Sequence, residues 1–246
     1  MKIWNFTAIK FFWLIVISHA ALFFVLYAGT VEHYIALFIC YLLTYLVGST
    51  VTFHRLITHR SFEAPRWFVI FGTICGIFGF NGTPISRAIL HRMHHAYTDK
   101  TGDPHSPWVN GLFYTYFPML KEVKVDLRLG SDLYKDKFYR FTHDYYLLVI
   151  SATVILSAAI IGPLWTATLF LAAGALTWFT NAVCNIFCHL GDDPEYRVVD
   201  SRILAILTWG EGWHGHHHKN PADPDPGQGR YDPAYFIIKL VQKKHK

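Results

Sequence analysis

Histidines in this chain are concentrated in a few short segments. The nine residues GEGWHGHHH, at positions 210–218, contain four imidazoles and one glutamate. Neutral imidazole is the commonest metal ligand among side chains, and residues three or four apart share one face of a helix. His214, His217 and His218 are therefore predicted to converge on a cation, whereas His216 points elsewhere. The alternative is a solvated histidine-rich tract without a fixed site.

Two further clusters and one isolated histidine precede this segment and weaken that alternative. HRLITH at 54–59 and HRMHH at 91–95 bring five more histidines close together in sequence. Nine imidazoles exceed the four ligands of a tetrahedral zinc ion, so two metal ions fit better. The nine candidate ligands are His54, His59, His91, His94, His95, His189, His214, His217 and His218.

The composition is typical of a membrane protein. Hydrophobic residues make up 52% of the chain and charged residues only 16%, whereas soluble domains carry about 25% charged residues. The formal net charge is +5, but the basic residues are scattered and form no recognisable nucleic-acid-binding motif. Nucleic acid is therefore not an expected partner. The four cysteines lie in or beside apolar stretches and predict no disulfide framework.

Four apolar stretches are long enough to cross a membrane, which takes about 17–25 residues in a helix. They are residues 11–28, 33–53, 145–162 and 164–184, and short turns join them into two predicted hairpins. The first stretch has no small-residue cleavage site and is interpreted as a retained anchor. The fold expected from this pattern is an all-α integral membrane protein, with a single domain over residues 1–246.

All 22 lysines and arginines lie outside the two hairpins, on the segments 1–10, 55–144 and 185–246. The positive-inside rule places these segments, and both termini, on the cytoplasmic face. The candidate ligands would then lie at or beyond the cytoplasmic helix ends, in a helical cap that carries the metal site. A metal transporter, the alternative from another functional class, would place its ligands near the bilayer midplane.

A fifth apolar stretch, residues 67–80, is shorter than the other four. If it crossed the membrane, the histidines at 54–59 and at 91–95 would lie on opposite sides and could not share a site. We therefore expect it to lie at the interface or beneath the other helices. The glycines at 72, 76 and 79 are spaced like a close-packing face.

The nature of the metal follows from these surroundings rather than from the ligands, because imidazole suits iron, zinc, copper and nickel alike. An apolar, membrane-facing site without a phosphate loop or a hydrolytic nucleophile favours oxygen chemistry on a lipid, and hence iron. Purified protein could still hold zinc, since imidazole sites bind it readily.

Four motifs together carry a resemblance to a known family. HxxxxH at 54–59, HRxHH at 91–95, NxxxH at 185–189 and GEGWHxxHH at 210–218 resemble the membrane fatty acyl desaturases, most closely the delta-9 acyl-CoA type. The resemblance extends from about residue 40 to residue 222. It implies four transmembrane helices under a cytosolic cap, and a non-haem di-iron centre that uses O2 and two electrons to remove two hydrogens from an acyl chain.

The resemblance also implies roles for particular residues. The nine histidines would be the iron ligands, and Asn185 would act on a metal through a water molecule. Glu211 is interpreted as a carboxylate that accepts the second N–H of a ligand imidazole, with a helix N-terminal charge as the alternative. A hydroxylase or a decarboxylase built on the same histidine scaffold is the second enzymatic interpretation, because the spacing of the histidines separates these reactions poorly.

The substrate site is less closely specified. In the resembling family, residues three to four helical turns before the first ligand histidine close the acyl tunnel, and counting back from His54 reaches Leu42 and Phe38. Ordinary helix packing is the alternative for these two residues. Asn81 is a third candidate for the substrate tunnel. Asn81 and Arg87 stand where the acyl-CoA members have glutamine and tryptophan. The acyl carrier is therefore left open between CoA, a carrier protein and a membrane lipid.

No HPGG-type haem-binding motif occurs in the sequence. The resemblance therefore implies a separate electron donor, such as cytochrome b5 or a ferredoxin. Since every lysine and arginine is predicted to lie on the cytoplasmic side, that face is expected to attract an acidic partner.

Overall fold

The computed structural model of the protein describes residues 5–193 and 195–243, with side chains from residue 8 onward, and no β-strand occurs within these residues. Its helices are α1 (Asn5–Ala28), α2 (Val31–Thr58), α3 (Arg66–Ile77), α4 (Pro84–Tyr97), α5 (Pro107–Tyr116), α6 (Lys137–Asp144), α7 (Tyr146–Ile161), α8 (Pro163–Phe187), α9 (Arg202–Leu207), α10 (His214–Lys219) and α11 (Pro233–Val241). Short 3-10 turns lie at Pro118–Leu120, Leu127–Gly130 and Leu133–Lys135. The all-helical fold expected from the sequence is confirmed.

Three of these helices are long and apolar enough to cross a membrane: the part of α1 from Ala8 to Ala28, α2 and α8. The third predicted stretch corresponds to α7, whose 16 residues extend only about 24 Å, less than the ~30 Å of a bilayer core. α6 precedes α7 across a 68° bend, and the two qualify as a fourth span only if they are counted together. The described chain therefore has three candidate spans, or four with the bent pair.

Both predicted hairpin turns are present. Thr30 and His33 form a capping box at the start of α2. Between α7 and α8, Gly162 has a φ of 84°, a left-handed conformation that favours glycine, and Pro163 then occupies the first turn of α8, where its missing N–H costs nothing. These turns let neighbouring helices reverse direction within a few residues.

The second half of α2 is wound more widely than an α-helix. Val31–Tyr41 is α-helical, but Leu42–Thr58 is a π-helix, in which each N–H bonds the carbonyl five residues earlier. The last such bond joins the His59 N–H to the His54 carbonyl at 3.1 Å. In an α-helix, residues five apart are rotated by about 140°. The wider turn instead brings His54 and His59 to the same face.

The short apolar helix α3 packs closely on α2. A Cβ atom at Gly72 would lie 1.9 Å from Thr52 Oγ1, and one at Gly76 would lie 2.5 Å from the Phe53 ring, so only glycine permits this approach. α3 has 12 residues and is about 18 Å long, too short to cross a bilayer core. The histidines that precede and follow it meet in one cluster, which agrees with a helix tucked against α2.

Helix α4 is capped at its start and is bonded to α2 near its end. At its start, the Thr83 hydroxyl accepts from the Ser86 N–H at 3.1 Å and the Ser86 hydroxyl accepts from the Thr83 N–H at 2.9 Å. Near its end, Arg92 donates from Nε to the Thr58 carbonyl at 2.9 Å and from Nη1 to Asp132 Oδ1 at 2.8 Å. These bonds hold the HRMHH segment beside the end of α2.

Candidate metal centre

The nine candidate histidines meet in two neighbouring clusters. The five-histidine cluster contains His54, His59, His91, His95 and His217, and the four-histidine cluster contains His94, His189, His214 and His218. In each cluster, one nitrogen from every imidazole lies within 4.8 Å of the corresponding nitrogens of the others. Helices α4 and α10 contribute to both clusters, whereas α2 contributes only to the first.

Helical spacing explains how two helices serve both clusters. His91 and His95 of α4 are four residues apart and join the five-histidine cluster, while His94 points to the other. In α10, His214 and His218 join the four-histidine cluster and His217 joins the first. The sequence spacing predicted that His214, His217 and His218 converge on one cation, but the three do not belong to one cluster. Instead they are divided between the two clusters.

Imidazole nitrogens of neighbouring candidate ligands face one another at short distances. Nε2–Nε2 distances are 2.9 Å for His54–His217, 3.1 Å for His217–His95, 3.2 Å for His95–His91, 3.2 Å for His189–His214 and 3.1 Å for His214–His218. Two nitrogens bound to one ion at about 2.0–2.1 Å lie about 2.8–3.4 Å apart at bond angles of about 90–110°. The observed separations fit that geometry.

Carboxylates determine which nitrogen of three histidines carries the proton. His94 Nδ1 lies 2.9 Å from both Asp103 oxygens, His189 Nδ1 lies 2.9 Å from Asp99 Oδ2, and His54 Nδ1 lies 2.5 Å from Glu211 Oε2. A carboxylate can only accept, so Nδ1 donates and the Nε2 lone pair of each ring points into its cluster. This carboxylate–histidine arrangement is typical of metal sites.

The imidazoles are kept neutral by their surroundings. Burial lowers the pKa of His91, His94, His214 and His217 well below the ordinary value, and neighbouring histidines lower it further. For His95 the same causes lower the pKa to about 3. Metal binding requires the neutral ring. In addition, His59 Nε2 and His94 Nε2 are buried without a hydrogen-bond partner among the described residues. An ion in each cluster would satisfy these nitrogens.

Glu211 belongs to a buried charge network. Its Oε1 accepts from Arg55 Nη2 at 3.2 Å, and Arg55 Nη1 donates to Asp232 Oδ2 at 2.8 Å and to the Pro224 carbonyl at 3.1 Å. The side chains of Arg55 and Asp232 are only 2% and 1% exposed. Burial would raise the pKa of Glu211, but His54 and Arg55 outweigh it and lower the pKa to about 2. Glu211 is therefore an ionised acceptor for His54.

Comparison with known proteins gives a family match over most of the chain. The profile of the fatty acid desaturase family matches residues 32–231, which include both histidine clusters. The chain belongs to the fatty acid desaturase family. The match confirms the resemblance seen in the four sequence motifs.

Individual desaturases show the range within the family. The chain is 33% identical over 190 residues to an sn-1 stearoyl-lipid 9-desaturase of Synechocystis sp., a match that covers 74% of this chain and 59% of the relative. It is 30% identical to an acyl-CoA C20 delta5-desaturase of Anemone leveillei, over 83% of this chain and 69% of the relative. A chloroplastic palmitoyl-monogalactosyldiacylglycerol delta-7 desaturase of Arabidopsis thaliana is 28% identical, over 82% and 57%. The chain thus spans about 60% of the length of several of these desaturases.

The chain contains a cavity of about 460 Å³ between α1, α4, α7 and α8. Apolar walls include Phe11, Tyr146 and Trp178, while Asn81 and Asn185 belong to its polar wall. The amide of Asn185 donates to the His105 carbonyl at 2.8 Å. Asn185 precedes His189 by four residues, so the chain leads directly from the cavity wall to a member of the four-histidine cluster.

Phe38 and Leu42, the expected tunnel floor, do not line this cavity. Phe38 is 52% exposed and its ring lies 6.4 Å from that of Trp209, and Leu42 packs against a different cluster of apolar side chains. Their selection assumed α-helical turns back from His54. Because Leu42–Thr58 is a π-helix, that count does not identify the residues on the ligand face.

The structure also shows site residues that had no predicted role. Asp99 and Asp103 follow the HRMHH segment directly, and they bond His189 and His94. Histidines that bind a metal usually donate their second N–H to a carboxylate. A search for acidic residues near each motif on this basis would have identified both aspartates. Arg55 lies inside the HRLITH motif itself. His216 is in neither cluster, and its Nε2 pairs with Asp223 at 2.9 Å.

Proposed function

We propose that the chain is a membrane fatty acyl desaturase that introduces a double bond, of the delta-9 type, into a saturated acyl chain. The observation that carries this proposal is the pair of carboxylate-braced histidine clusters next to a largely apolar cavity. Family membership supports the same reaction.

The nine histidines are proposed as ligands of two iron ions, one in each cluster. Bound iron would supply the activation of O2 and accept the two electrons that the reaction needs. The protein would hold its imidazoles neutral and aimed inward through Asp99, Asp103 and Glu211. Asn185 is proposed as the residue that reaches a metal through water, since the four-histidine cluster has one imidazole fewer than its neighbour.

The cavity is proposed as the acyl site. Its volume lies within the range of about 300–1,000 Å³ typical of ligand pockets, and each methylene buried there would contribute about 0.8 kcal/mol. Apolar side chains such as Phe11 and Trp178 would exclude water from the reacting carbons. The Asn185 side of the wall would bring the chain near the four-histidine cluster.

The remaining parts of the proposal concern carrier, donor and orientation. Relatives named for both acyl-CoA and lipid substrates leave the fatty acyl carrier between CoA, a carrier protein and a membrane lipid. Electrons would come from a separate protein such as cytochrome b5 or a ferredoxin. We place the metal centre and both termini on the cytoplasmic face, because the lysines and arginines lie outside the apolar hairpins.

The proposal is tested by expressing the chain in a desaturase-deficient host and analysing total fatty acids by gas chromatography and mass spectrometry. The expected product is a monounsaturated acid, with the double bond at carbon 9, that is absent when His94→Ala is expressed. A hydroxylated acid or a shortened hydrocarbon would show the alternative reactions instead. Changed cellular zinc without any lipid product would favour transport.

The acyl site is tested by competition among saturated substrates of graded length. Trp178→Ala removes a wall of the cavity and is expected to shift the preference toward longer chains, by about fourfold for each additional buried methylene. Phe38→Ala, which opens no wall of this cavity, serves as the matched control. A shifted length profile in Phe38→Ala alone would instead place the tunnel floor on α2.

A further inference from the structure

Three arginines extend toward the interior of the helical cap, and only two of them have partners. Arg55 bonds two carboxylates and a carbonyl, and Arg92 bonds Asp132 and three backbone carbonyls. Arg87, one turn before His91 on α4, has no side-chain hydrogen bond or ion pair within residues 5–193 and 195–243, and its Nε is fully buried.

The charge of Arg87 is retained in spite of its surroundings. Burial lowers its pKa from the ordinary value, but a guanidinium remains protonated in proteins. An interior donor without an acceptor is costly, and an interior charge costs more. The buried Nε therefore requires an oxygen acceptor that the described part of the chain does not provide.

Arg87 lines the 460 Å³ cavity, so a ligand can supply that acceptor. His105 lines the same cavity, and its Nε2 is also buried without a partner. Two other polar side chains on the wall already have partners: Lys121 donates to Asn110, and His143 Nδ1 lies 2.8 Å from the Thr83 hydroxyl. Among the described residues, the buried nitrogens on the wall without a partner are Arg87 Nε, His105 Nε2 and Trp178 Nε1.

We propose that Arg87, assisted by His105, binds a carbonyl oxygen of the acyl ligand and so anchors the carboxyl end of the fatty acyl group inside this cavity. A hydrocarbon chain has no acceptor for the guanidinium, whereas a carboxylate or an ester carbonyl does. This inference rests on the proposed function in taking the ligand to be an acyl compound. It adds a polar recognition site that the apolar walls alone would not provide.

The test measures binding without turnover, on the purified full chain in detergent, by competition with a fluorescent acyl probe. Stearate, methyl stearate and octadecane have similar apolar length but differ in their oxygen atoms. Hydrogen bonds to a charged group are expected to favour stearate or methyl stearate over octadecane by roughly 10- to 100-fold. Arg87→Met keeps most of the side-chain volume and should abolish that preference while leaving octadecane affinity unchanged.

Two further variants make the result specific. Arg87→Lys retains a charge but not the planar fork and should recover part of the preference. Arg128→Met removes an arginine whose side chain is 90% exposed and should leave all three affinities unchanged. Preference for stearate over methyl stearate identifies a carboxylate as the ligand group, and equal affinities identify a neutral carbonyl; both support the anchor.

The proposal is overturned if the native chain binds octadecane as tightly as both stearate and methyl stearate, because water alone would then satisfy the guanidinium. It is also overturned if a folded Arg87→Met protein keeps the full preference. Failure of the desaturase proposal would show separately. The chain would then prefer the ligands that carry oxygen atoms, through Arg87, but the expressing host would contain no unsaturated product.

Discussion

The two histidine clusters are held in place by different parts of the chain. In the four-histidine cluster, Asp99 and Asp103 bond His189 and His94, and both carboxylates come from the short loop after α4. In the five-histidine cluster, the carboxylate is Glu211, whose position depends on a distant partner. The carboxylates of the four-histidine cluster are positioned by local contacts, whereas the carboxylate of the five-histidine cluster is positioned by long-range contacts.

The local loop is itself tightly ordered. Asp103 accepts from the backbone N–H of Asp99 at 2.8 Å and of His105 at 2.8 Å, and Ser106 donates to Asp99 at 2.7 Å. Asp99 has a φ of 56°, a left-handed conformation that aspartate tolerates better than most residues. These bonds fix both carboxylates before any contact with a distant segment is made.

The long-range support depends on Arg55. It ties Glu211 to Asp232, which lies 21 residues further along the chain and is itself almost fully buried. The difference between the clusters shows that two similar candidate metal sites can differ in how sensitive they are to substitutions elsewhere in the chain. Substitutions in the C-terminal loop, residues 220–232 between α10 and α11, should affect the five-histidine cluster first.

The largest effect should follow removal of a ligand from either cluster. His94→Ala and His91→Ala are each expected to lose more activity than the 10–100-fold typical of an outer carboxylate, and each should lower the bound metal from two ions toward one. Iron content and product formation measure both effects. His216→Ala, which changes neither cluster, should retain activity within about twofold. Full activity with fewer than two bound ions would contradict two metal sites.

A smaller but more selective effect is expected from the carboxylates. Asp103→Asn should weaken metal affinity at the four-histidine cluster by about 10–100-fold and leave the other site unchanged, while Glu211→Gln should do the reverse. Metal titration followed by X-ray absorption spectroscopy separates the two sites. Equal loss at both sites in either variant would show that the clusters behave as one unit.

The long-range support can be tested through stability. Asp232→Ala leaves Arg55 buried with only Glu211 as a carboxylate partner, and breaking a buried pair costs about 3–5 kcal/mol. The matched control is Asp136→Ala, because its partner Arg66 is 52% exposed and an exposed pair contributes about 0–1 kcal/mol. Thermal unfolding in detergent measures both. Equal, small losses in the two variants would remove the distinction between local and long-range support.

The ligand candidates could be identified from the sequence because these histidines are clustered in four short motifs. The sequence could not divide them between two ions. That division depends on the π-helical winding that brings His54 and His59 to one face, and on the rotation of α10 that separates His217 from its neighbours. Neither is encoded in a simple periodicity.

The lengths of the apolar stretches also predicted the all-helical fold. The helices break at both predicted turns, after Ala28 and after Ile161. The third stretch differed because residues 145–162 were treated as one straight span, whereas the helix begins after a 68° bend. Arg55 and Asp232 were missed because a buried ion pair between residues 177 positions apart leaves no local signal. Arg87 was noted only as a departure from the resembling family.

The reliance of one cluster on Asp232 has a consequence for biosynthesis. His54 and His59 leave the ribosome early, but their cluster lacks His217 and the anchored Glu211 until the C-terminal loop has been made. The proposed iron should therefore be acquired after nearly the whole described chain has been synthesised, and not while it is being inserted into the membrane. Arrested nascent chains that end before residue 210 should bind no stoichiometric iron; stable iron in such chains would contradict this order of assembly.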